Sequence, residues 1–286
     1  DAASSGTDNT VSFIADGTPP DTTITSSPSN PSNDTSPSFS FIGSDDQTPE
    51  VAARIAEECG AGDRFTLLSY PFAVSRAGHE HLMTPPDSVH SLTHFYNWSF
   101  SQVRTTYSMK WDGDMVLTRE GVAALADLSW QLEGSGAVVL VPRHPVSIES
   151  ESVAWIDLGF RFLEPWIYPM GPEYTFVKAF EWEVREFPGS AERLIMPEGL
   201  CVELKWLDAD EFAHWSHTAF EDSTRAPRKR REWEVYSALM EGRGDRVEGL
   251  HRIEAPPGVH VVDHITHAWL PHAPRPLVQR RGRLDV

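Results

Sequence analysis

The chain has 286 residues, of which 40% are hydrophobic and 23% are charged, and its formal net charge at pH 7 is −18. This length and composition predict one large domain, or a medium domain with a small module. The negative charge argues against a nucleic-acid partner, because phosphate contacts require a basic surface. No apolar run has the ~18 residues that a membrane-spanning helix needs, so we predict no membrane span.

Residues 1–47 differ in composition from the rest of the chain. They are rich in Ser, Thr, Asp, Asn and Pro, and the first basic residue of the chain is Arg54. Two short pieces, residues 11–14 and 38–42, have the apolar content that is typical of strands. The polar sequence between them favours a disordered acidic linker. The sequence therefore predicts a short β-like or disordered N-terminal segment.

The pattern of apolar residues predicts four further elements before residue 105. An apolar stripe at helical spacing predicts an amphipathic helix over residues 50–59, which Gly60 ends. Farther along, the pattern predicts in turn a strand, a loop and a helix, over residues 65–70, 71–86 and 92–104.

An acidic tripeptide, Asp112-Gly113-Asp114, interrupts an apolar run over residues 107–117. The run predicts a buried strand, in which carboxylates are costly unless a cation pairs with them. Because residues two apart in a strand point the same way, Asp112 and Asp114 would converge, and their oxygens suit Mg or Mn. The alternative interpretation is an Asp-Gly-Asp turn that needs no metal. Thr118 is then predicted to be the N-cap of a helix.

The second half of the chain predicts alternating strands and helices. An apolar strand over residues 137–141 is predicted to end at Pro142. Further strands are predicted over residues 173–186, 202–207 and 259–263, and helices are predicted to begin at Asp208 and, after the basic cluster 225–231, at Glu232.

Several runs of residues carry a resemblance to a known family. They are Asn97-Trp98, Trp111-Asp-Gly-Asp114, Lys205-Trp-Leu, His214-Trp215, Arg228-Lys-Arg-Arg-Glu-Trp233 and His260-Val-Val-Asp263. From about residue 48 to 271, the sequence resembles the inverting glycosyltransferases of the GT-A fold, in the large family two group. The resemblance implies an α/β fold, with a mixed sheet flanked by helices. It also implies that the N-terminal nucleotide-binding unit is incomplete, since residues 1–47 stand where its first strand and helix belong.

In that family, the acidic tripeptide binds the metal that holds a nucleotide-diphosphate sugar. The resemblance therefore implies that Asp112 and Asp114 bind Mn or Mg. It also implies that Asn97, Trp111 and Asp112 contact the nucleotide sugar. The implied partners are this donor and an acceptor that the sequence does not identify.

Sugar transfer also needs a general base for the acceptor hydroxyl, commonly Asp or Glu. We favour Asp210 or Glu211, at the start of a predicted helix. For each candidate, the alternative is an acid that only interacts with the helix dipole. The rival candidates are Glu181, Glu183, Glu221 and Asp222.

Two further groups are candidate ligand contacts. Arg228 and Arg231 would grip the diphosphate, since a basic island on an acidic protein can form a local phosphate site. A solvated helix start explains the same cluster equally well. His260 is a candidate extra metal ligand, and a structural or surface histidine is its alternative.

A second resemblance concerns the N-terminal segment. Residues 16–41 resemble the opening of a bacterial Ig-like repeat, but only its first strands, since a full sandwich needs about 100 residues. The alternative functions are therefore a non-enzymatic secreted surface or interaction protein, and a metal-dependent hydrolase that uses the same acids. The location would be cytoplasmic for the transferase and extracellular for the surface protein.

The predicted organisation is a partial Ig-like or linker segment, a glycosyltransferase-like domain and a basic tail, over residues 1–47, 48–271 and 272–286.

Overall fold

The computed structural model describes residues 10–12, 38–40, 48–62, 65–132, 134–207, 212 and 226–273. The chain divides into two compact units. The first unit comprises Asp1–Gly113 and Trp166–Ala191, and the second comprises Asp114–Pro165 and Glu192–Val286. The domain boundaries predicted at residues 47 and 271 stay predictions. The helix predicted to begin at Asp208 lies outside the described residues, as does the predicted tail from residue 274 onward.

The elements are labelled in chain order. The helices are α1 (Thr48–Glu58), α2 (His79–Met83), α3 (Leu92–Ser101), α4 (Arg119–Leu132), α5 (Ala226–Met240) and α6 (Val261–His264). The strands are β1 (Thr10–Ser12), β2 (Ser38–Ser40), β3 (Tyr107–Met109), β4 (Met115–Leu117), β5 (Val138–Ser150), β6 (Val153–Asp157), β7 (Phe162–Pro169), β8 (Thr175–Ala179), β9 (Trp182–Glu186), β10 (Arg193–Ile195), β11 (Cys201–Trp206) and β12 (Leu250–Glu254). No helix among the described residues has both the length and the apolar character of a membrane-crossing segment.

The core of the first unit is an aromatic cluster around α3. Strands β8 and β9 form an antiparallel hairpin, and β3 pairs antiparallel with residues 167–169 of β7. The helix predicted over residues 92–104 is confirmed, although it ends at Ser101. The buried members of the cluster are Leu92, Phe95, Tyr96 and Phe100 of α3 and Phe176 of β8.

The strand predicted over residues 65–70 is wrong, because these residues have no regular structure. Leu68 and Tyr70 pack against the α3 cluster. The Tyr70 hydroxyl donates a hydrogen bond to the Val89 carbonyl at 2.7 Å. Side-chain packing therefore holds this segment, and no described strand pairs with it. Leu67 of this segment is 46% exposed, an exposure that the alternation of a half-buried strand does not explain.

Short elements form at the positions predicted near the N-terminus. Strands β1 and β2 form at the two β-like pieces and pair in parallel, with Thr10 opposite Ser38. The helix predicted over residues 50–59 is confirmed as α1. Gly60 ends it with a φ of 68°, a left-handed conformation that favours glycine. The resemblance to an Ig-like repeat stays a prediction.

The second unit is built on a mixed sheet, in the order β12-β6-β5-β11-β4, with β10 also paired to β5. The pairs β12–β6, β5–β6 and β11–β4 are antiparallel. Strands β10 and β11 run parallel to β5. The fold class predicted from the sequence, an α/β fold with a mixed sheet flanked by helices, is therefore confirmed.

The two faces of this sheet differ in chemistry because strand residues alternate between them. On one face, Val146, Ile156 and Val202 are fully buried against Val261 and Ile265, from α6 and the π-helical turn Ile265–Trp269. On the other face, Trp155 packs against Val235 and Ala238 of α5. Charged residues of β5 and β11 share this second face, which positions the candidate site described below.

The predicted end of the strand at Pro142 is wrong, because β5 continues to Ser150. Residues 138–140 pair with β10, and residues 144–148 pair with β11. Pro142 lies between the residues of β5 that pair with β10 and those that pair with β11.

Two other strand predictions are corrected. Residues 173–186 form the hairpin β8–β9 rather than one strand, with Phe180 at a positive φ of 60° in the turn. The strand predicted over residues 259–263 is wrong, because this stretch enters helix α6. Val261 and Ile265 are both fully buried, so their spacing of four residues, which fits a helix, outweighs the local β-branched composition.

The start of α4 is confirmed in detail. The Thr118 hydroxyl accepts a hydrogen bond from the Gly121 N–H at 3.0 Å, as an N-cap does. A Cβ atom at Gly121 would lie 2.1 Å from the Leu200 carbonyl oxygen. Glycine at this position therefore permits the close approach of α4 to β11.

The two cysteines of the chain are free thiols in different surroundings. Cys201 of β11 is fully buried, and burial raises the pKa of its thiol. Cys59, next to the end of α1, is half-buried.

Candidate functional site

A cluster of charged side chains occupies the sheet face that α5 covers in the second unit. Arg143 lies on β5, and Glu203 and Lys205 lie at alternate positions of β11. Helix α5 adds three further charges at helical spacing. This charge cluster comprises the cations Arg143, Lys205, Arg228 and Lys229 and the carboxylates Asp114, Glu164, Glu203 and Glu232.

Glu203 is the centre of the charge cluster. Its carboxylate accepts hydrogen bonds from Arg143 Nε at 2.5 Å and from Arg228 Nη2 at 3.1 Å. Lys205 Nζ lies 2.8 Å from the same carboxylate. Glu164 pairs with both arginines. Three cations therefore share one buried carboxylate.

Glu232 holds the α5 side of the cluster. It accepts from Arg228 Nε at 2.7 Å and from Lys229 Nζ at 2.8 Å. Burial alone would raise the pKa of Glu232, but the charges of Lys229 and Arg228 outweigh burial and lower the pKa to about 2. Burial would also raise the pKa of Glu203, but the charges of Arg143, Lys205 and Arg228 hold that pKa well below its usual range. Both carboxylates are therefore ionised at neutral pH.

A second buried ion pair lies beside the cluster. Arg231 Nε and Nη2 each donate to the Asp157 carboxylate at 2.9 Å, which is a bidentate arrangement. The Gly159 N–H also donates to this carboxylate at 2.8 Å. Asp157 is only 2% exposed, so this pair fixes its orientation.

A pocket opens between this sheet face and α5. The space between its lining residues is about 420 Å³, and this volume includes open solvent at the mouth. Aromatic rings and charged groups line it together, with Lys205, Asp157 and Glu232 among the charged groups. The lining residues are Pro145, Ser147, Asp157, Phe162, Lys205, Leu207, Phe212, Glu232, Val235 and Tyr236. The pocket therefore combines apolar walls with oriented polar groups, as small-molecule sites do.

The predicted single strand over residues 107–117 is wrong. Strand β3 ends at Met109, β4 begins at Met115, and Gly113 and Asp114 form a turn between them. The alternative interpretation of the tripeptide as a turn therefore describes its local conformation.

In the second unit, Asp114 is linked to the pocket through Lys205. Its carboxylate lies 3.8 Å from Lys205 Nζ, and the side chain is 34% exposed. The Asp114 carbonyl accepts from the Leu204 N–H at 2.7 Å, which anchors the turn beside β11.

In the first unit, Asp112 is paired with Lys110. Lys110 Nζ lies 3.0 and 3.1 Å from the two carboxylate oxygens, and the Asp112 side chain is 35% exposed. The same Nζ lies 3.6 Å from Glu183 and over the ring of Trp166, 5.4 Å from its centroid. Lys110 therefore has other favourable contacts besides Asp112.

The other predicted nucleotide contacts also lie in the first unit. The Asn97 side chain donates to the Phe176 carbonyl at 2.9 Å and accepts from the Phe176 N–H at 2.8 Å. Its amide thus holds α3 against β8. Trp111 is 5% exposed and packs edge-on against Trp166. A nucleotide contact of either residue stays a prediction.

Arg228 and Arg231 both lie within α5, where carboxylates of their own unit surround them. The diphosphate contact predicted for them stays a prediction. His260 is the N-cap of α6, and its Nδ1 accepts from the Val262 N–H at 3.3 Å. In a neutral ring the proton is then on Nε2, so metal binding would require His260 to change tautomer or leave the cap.

The predicted catalytic acids Asp210 and Glu211 lie outside the described residues, as do their rivals Glu221 and Asp222. Of the remaining rivals, Glu181 is fully buried and Glu183 is 7% exposed. Within the described ranges, no three His, Cys, Asp or Glu side chains are grouped so that they hold a metal ion.

Sequence reasoning did not identify most of the charge cluster. Arg143, Glu164 and Glu203 come together from three strands, and no short motif contains them. One local pattern was available, since Glu203 and Lys205 alternate within an otherwise apolar strand. Two charges on one strand face require buried partners, although the pattern does not say which residues supply them.

No protein-family model matches the sequence, and no curated protein matches it. A search of solved structures finds a similarity to the crystal structure of S. aureus TarS, residues 1–349, in complex with UDP-GlcNAc. The TM-score is 0.37 and the sequence identity is 11%, over 80% of this chain and 66% of that chain. This chain therefore spans just under two thirds of that chain, and a similarity at this level does not assign a function.

Proposed function

We propose that this protein is a glycosyltransferase, which transfers a sugar from a nucleotide-diphosphate donor to an acceptor with the help of Mn or Mg. The observation that carries the proposal is the ion pair between Asp114 and Lys205, 3.8 Å apart. Lys205 lines the pocket of the second unit, so the second acid of the tripeptide is one side chain away from that pocket.

The chemistry of the pocket supports a sugar ligand. A sugar presents hydroxyl groups at its edges and C–H groups on its ring faces. The carboxylates of Asp157 and Glu232 accept hydrogen bonds, and Lys205 donates them. Phe162 and Tyr236 supply apolar faces against which a ring packs. Because Asp157 and Glu232 are held by arginine and lysine partners, their acceptor atoms are oriented before a ligand arrives.

The proposed metal ligands are Asp112 and Asp114, and their chemistry fits a hard cation. Mg commonly takes only one or two carboxylates and completes its shell with substrate phosphates and water, so a third protein ligand is not required. Each carboxylate is about one third exposed and has one lysine nearby. A bound metal would supply charge stabilisation to the departing diphosphate.

The general base is proposed to be Asp210 or Glu211. Of the pocket carboxylates, Glu232 is a poor candidate, because the efficiency of a base is greatest when its pKa lies near the working pH. The pKa of Glu232 is lowered to about 2, which leaves it ionised but weakly basic. We therefore assign Glu232 to binding and orientation, and we assign Asp157 to the same role because Arg231 holds its carboxylate in a bidentate pair. The proton of the acceptor hydroxyl is assigned to one of the two acids before α5.

The test is thermal unfolding with a panel of UDP- and GDP-sugars, each with and without Mn or Mg. At donor concentrations 100-fold above Kd, binding adds about 2.7 kcal/mol, which corresponds to a rise in Tm of roughly 5 °C or more. We expect a rise in the wild type that requires the metal, and the loss of this metal-dependent rise in Asp112→Asn/Asp114→Asn. Asp87→Asn/Asp245→Asn, which changes two exposed acids, is the matched control and keeps the rise.

The outcomes separate the alternatives. Transfer of labelled sugar only when an acceptor is present supports the transferase. Release of sugar without any acceptor supports a metal-dependent hydrolase with the same acids. If no donor raises Tm in the wild type, the transferase proposal is overturned, and a non-enzymatic surface or interaction protein becomes the better description.

A further inference from the structure

Arg185 of β9 is a buried cation in the core of the first unit. It is only 5% exposed. Its guanidinium carbon lies 4.0 Å from the ring centroid of Phe100, 4.4 Å from that of Tyr168 and 5.0 Å from that of Phe176. Aromatic faces thus surround the charge on several sides.

Arg185 has no carboxylate to balance its charge among the described residues. Its Nε and Nη1 atoms have no hydrogen-bond partner there. Burial lowers the pKa of Arg185 to about 10, and the groups that oppose this shift are Tyr168 and Tyr174. This contrasts with Arg143, Arg228 and the other buried cations of the charge cluster, each of which is paired with carboxylates.

A second unpaired donor lies against the same tyrosine. Ser108 of β3 is directly opposite Tyr168 of β7 in the antiparallel pair. Residues directly opposite each other project from the same face of a sheet, with Cβ atoms about 4.5–5.5 Å apart. Ser108 is 2% exposed, and its hydroxyl has no hydrogen-bond partner among the described residues. Ser108 and Arg185 thus leave three buried polar atoms unsatisfied next to Tyr168.

Aromatic contacts alone do not balance this arrangement. A desolvated cation–π contact is favourable, but a ring offers no acceptor in the plane of the guanidinium N–H groups. Buried N–H and O–H groups nearly always have acceptors, and a buried charge normally has a counter-charge. A small oxyanion supplies both, and guanidinium groups are the preferred partners of phosphate oxygens.

We propose that Arg185 and Ser108 form a binding site for a phosphate-type oxyanion in the first unit. Tyr174, which is only partly buried, also lies near Arg185: burial and Glu173 raise the pKa of Tyr174, and the Arg185 guanidinium opposes this shift. The anion is either free inorganic phosphate or the diphosphate of a nucleotide, because both present the same oxygens. This site does not depend on the proposed function, since it involves neither Asp112 nor Asp114.

The experiment is a titration of the full chain with sodium phosphate, UDP or uridine, without divalent metal and at constant ionic strength set with NaCl. We expect a saturable rise in Tm for the wild type. Arg185→Met, which keeps a long apolar side chain between the rings, should abolish the rise. Arg246→Met, which removes an exposed arginine, is the matched control and should keep it.

A second variant keeps the proposal testable if Arg185→Met does not fold. Ser108→Ala removes one hydroxyl and should weaken phosphate binding about tenfold, the size of one hydrogen bond to a charged group. Asp112→Asn/Asp114→Asn should bind phosphate as the wild type does. A stronger effect of UDP than of phosphate, with none from uridine, would identify a diphosphate site. Equal responses of the wild type, Arg185→Met and Ser108→Ala, or no response of the wild type beyond that to chloride, would overturn the proposal.

Discussion

Glu203→Gln tests whether the charge cluster holds the second unit together. The substitution keeps the shape of the side chain but removes the charge that Arg143, Lys205 and Arg228 share. The Glu203 side chain is 7% exposed, so water does not replace the lost partner. Breaking a buried ion pair on one side costs about 3–5 kcal/mol, because it leaves a buried charge uncompensated. We expect a loss of that size.

The assay is urea unfolding followed by far-UV circular dichroism. The matched control is Glu234→Gln on α5, where a side chain that is 58% exposed pairs with Arg231 at 3.0 Å. An exposed pair of this kind contributes about 0–1 kcal/mol. If Glu203→Gln lowers the free energy of unfolding no more than Glu234→Gln does, the cluster does not stabilise the fold and the reasoning is refuted.

The same variant has a pH signature. The folded pKa of Glu203 lies well below the ordinary value of 4.5. A depressed folded pKa adds stability that is fully present above the unfolded pKa and is lost as the pH falls through the folded pKa. The difference in unfolding free energy between wild type and Glu203→Gln should therefore be largest near neutral pH and shrink below pH 4.5. A difference that is constant down to acid pH would contradict this mechanism.

Two further predictions concern the packing of single residues. Gly121→Ala should destabilise the protein by about 1–3 kcal/mol, as overpacking does, because its Cβ would lie 2.1 Å from a carbonyl oxygen. The control is Gly189→Ala, whose Cβ would have no atom within 4 Å. Equal midpoints of urea unfolding for the two variants would contradict the clash. His81 is fully buried, and burial lowers its pKa from 6.5 to about 4, so the stability of the wild type should fall as the pH drops through that window. His81→Gln should flatten this decline, and an unchanged profile would show that other groups cause it.

Local signals predicted local structure well. Helix α1 with Gly60, the Thr118 cap and strand β11 each depend on residues within a few positions of one another, and each is confirmed. The stretch over residues 259–263 failed for a related reason. Its β-branched composition suggests a strand, but burial at Val261 requires the spacing of a helix, and that requirement is set by the tertiary core.

The candidate site was harder to predict because it is assembled over long distances. Asp114 was identified from its motif, but its link to a pocket depends on Lys205, which lies about ninety residues later in the chain. Glu203 and Arg143 lie on adjacent parallel strands, and no short-range pattern reports that pairing. Sequence therefore identified the acids of the turn, whereas the pocket and its counter-charges required the three-dimensional arrangement.

The contrast between the two thiols offers a way to monitor each unit separately. A maleimide dye reacts with the thiolate form of accessible cysteine, so in the native protein it should attach at Cys59 and leave Cys201 unmodified. Natural sequence thus provides single-position labelling next to α1 without engineering. Slow attachment of a second dye would then occur only when β11 becomes exposed, and its rate would report how often the second unit opens spontaneously.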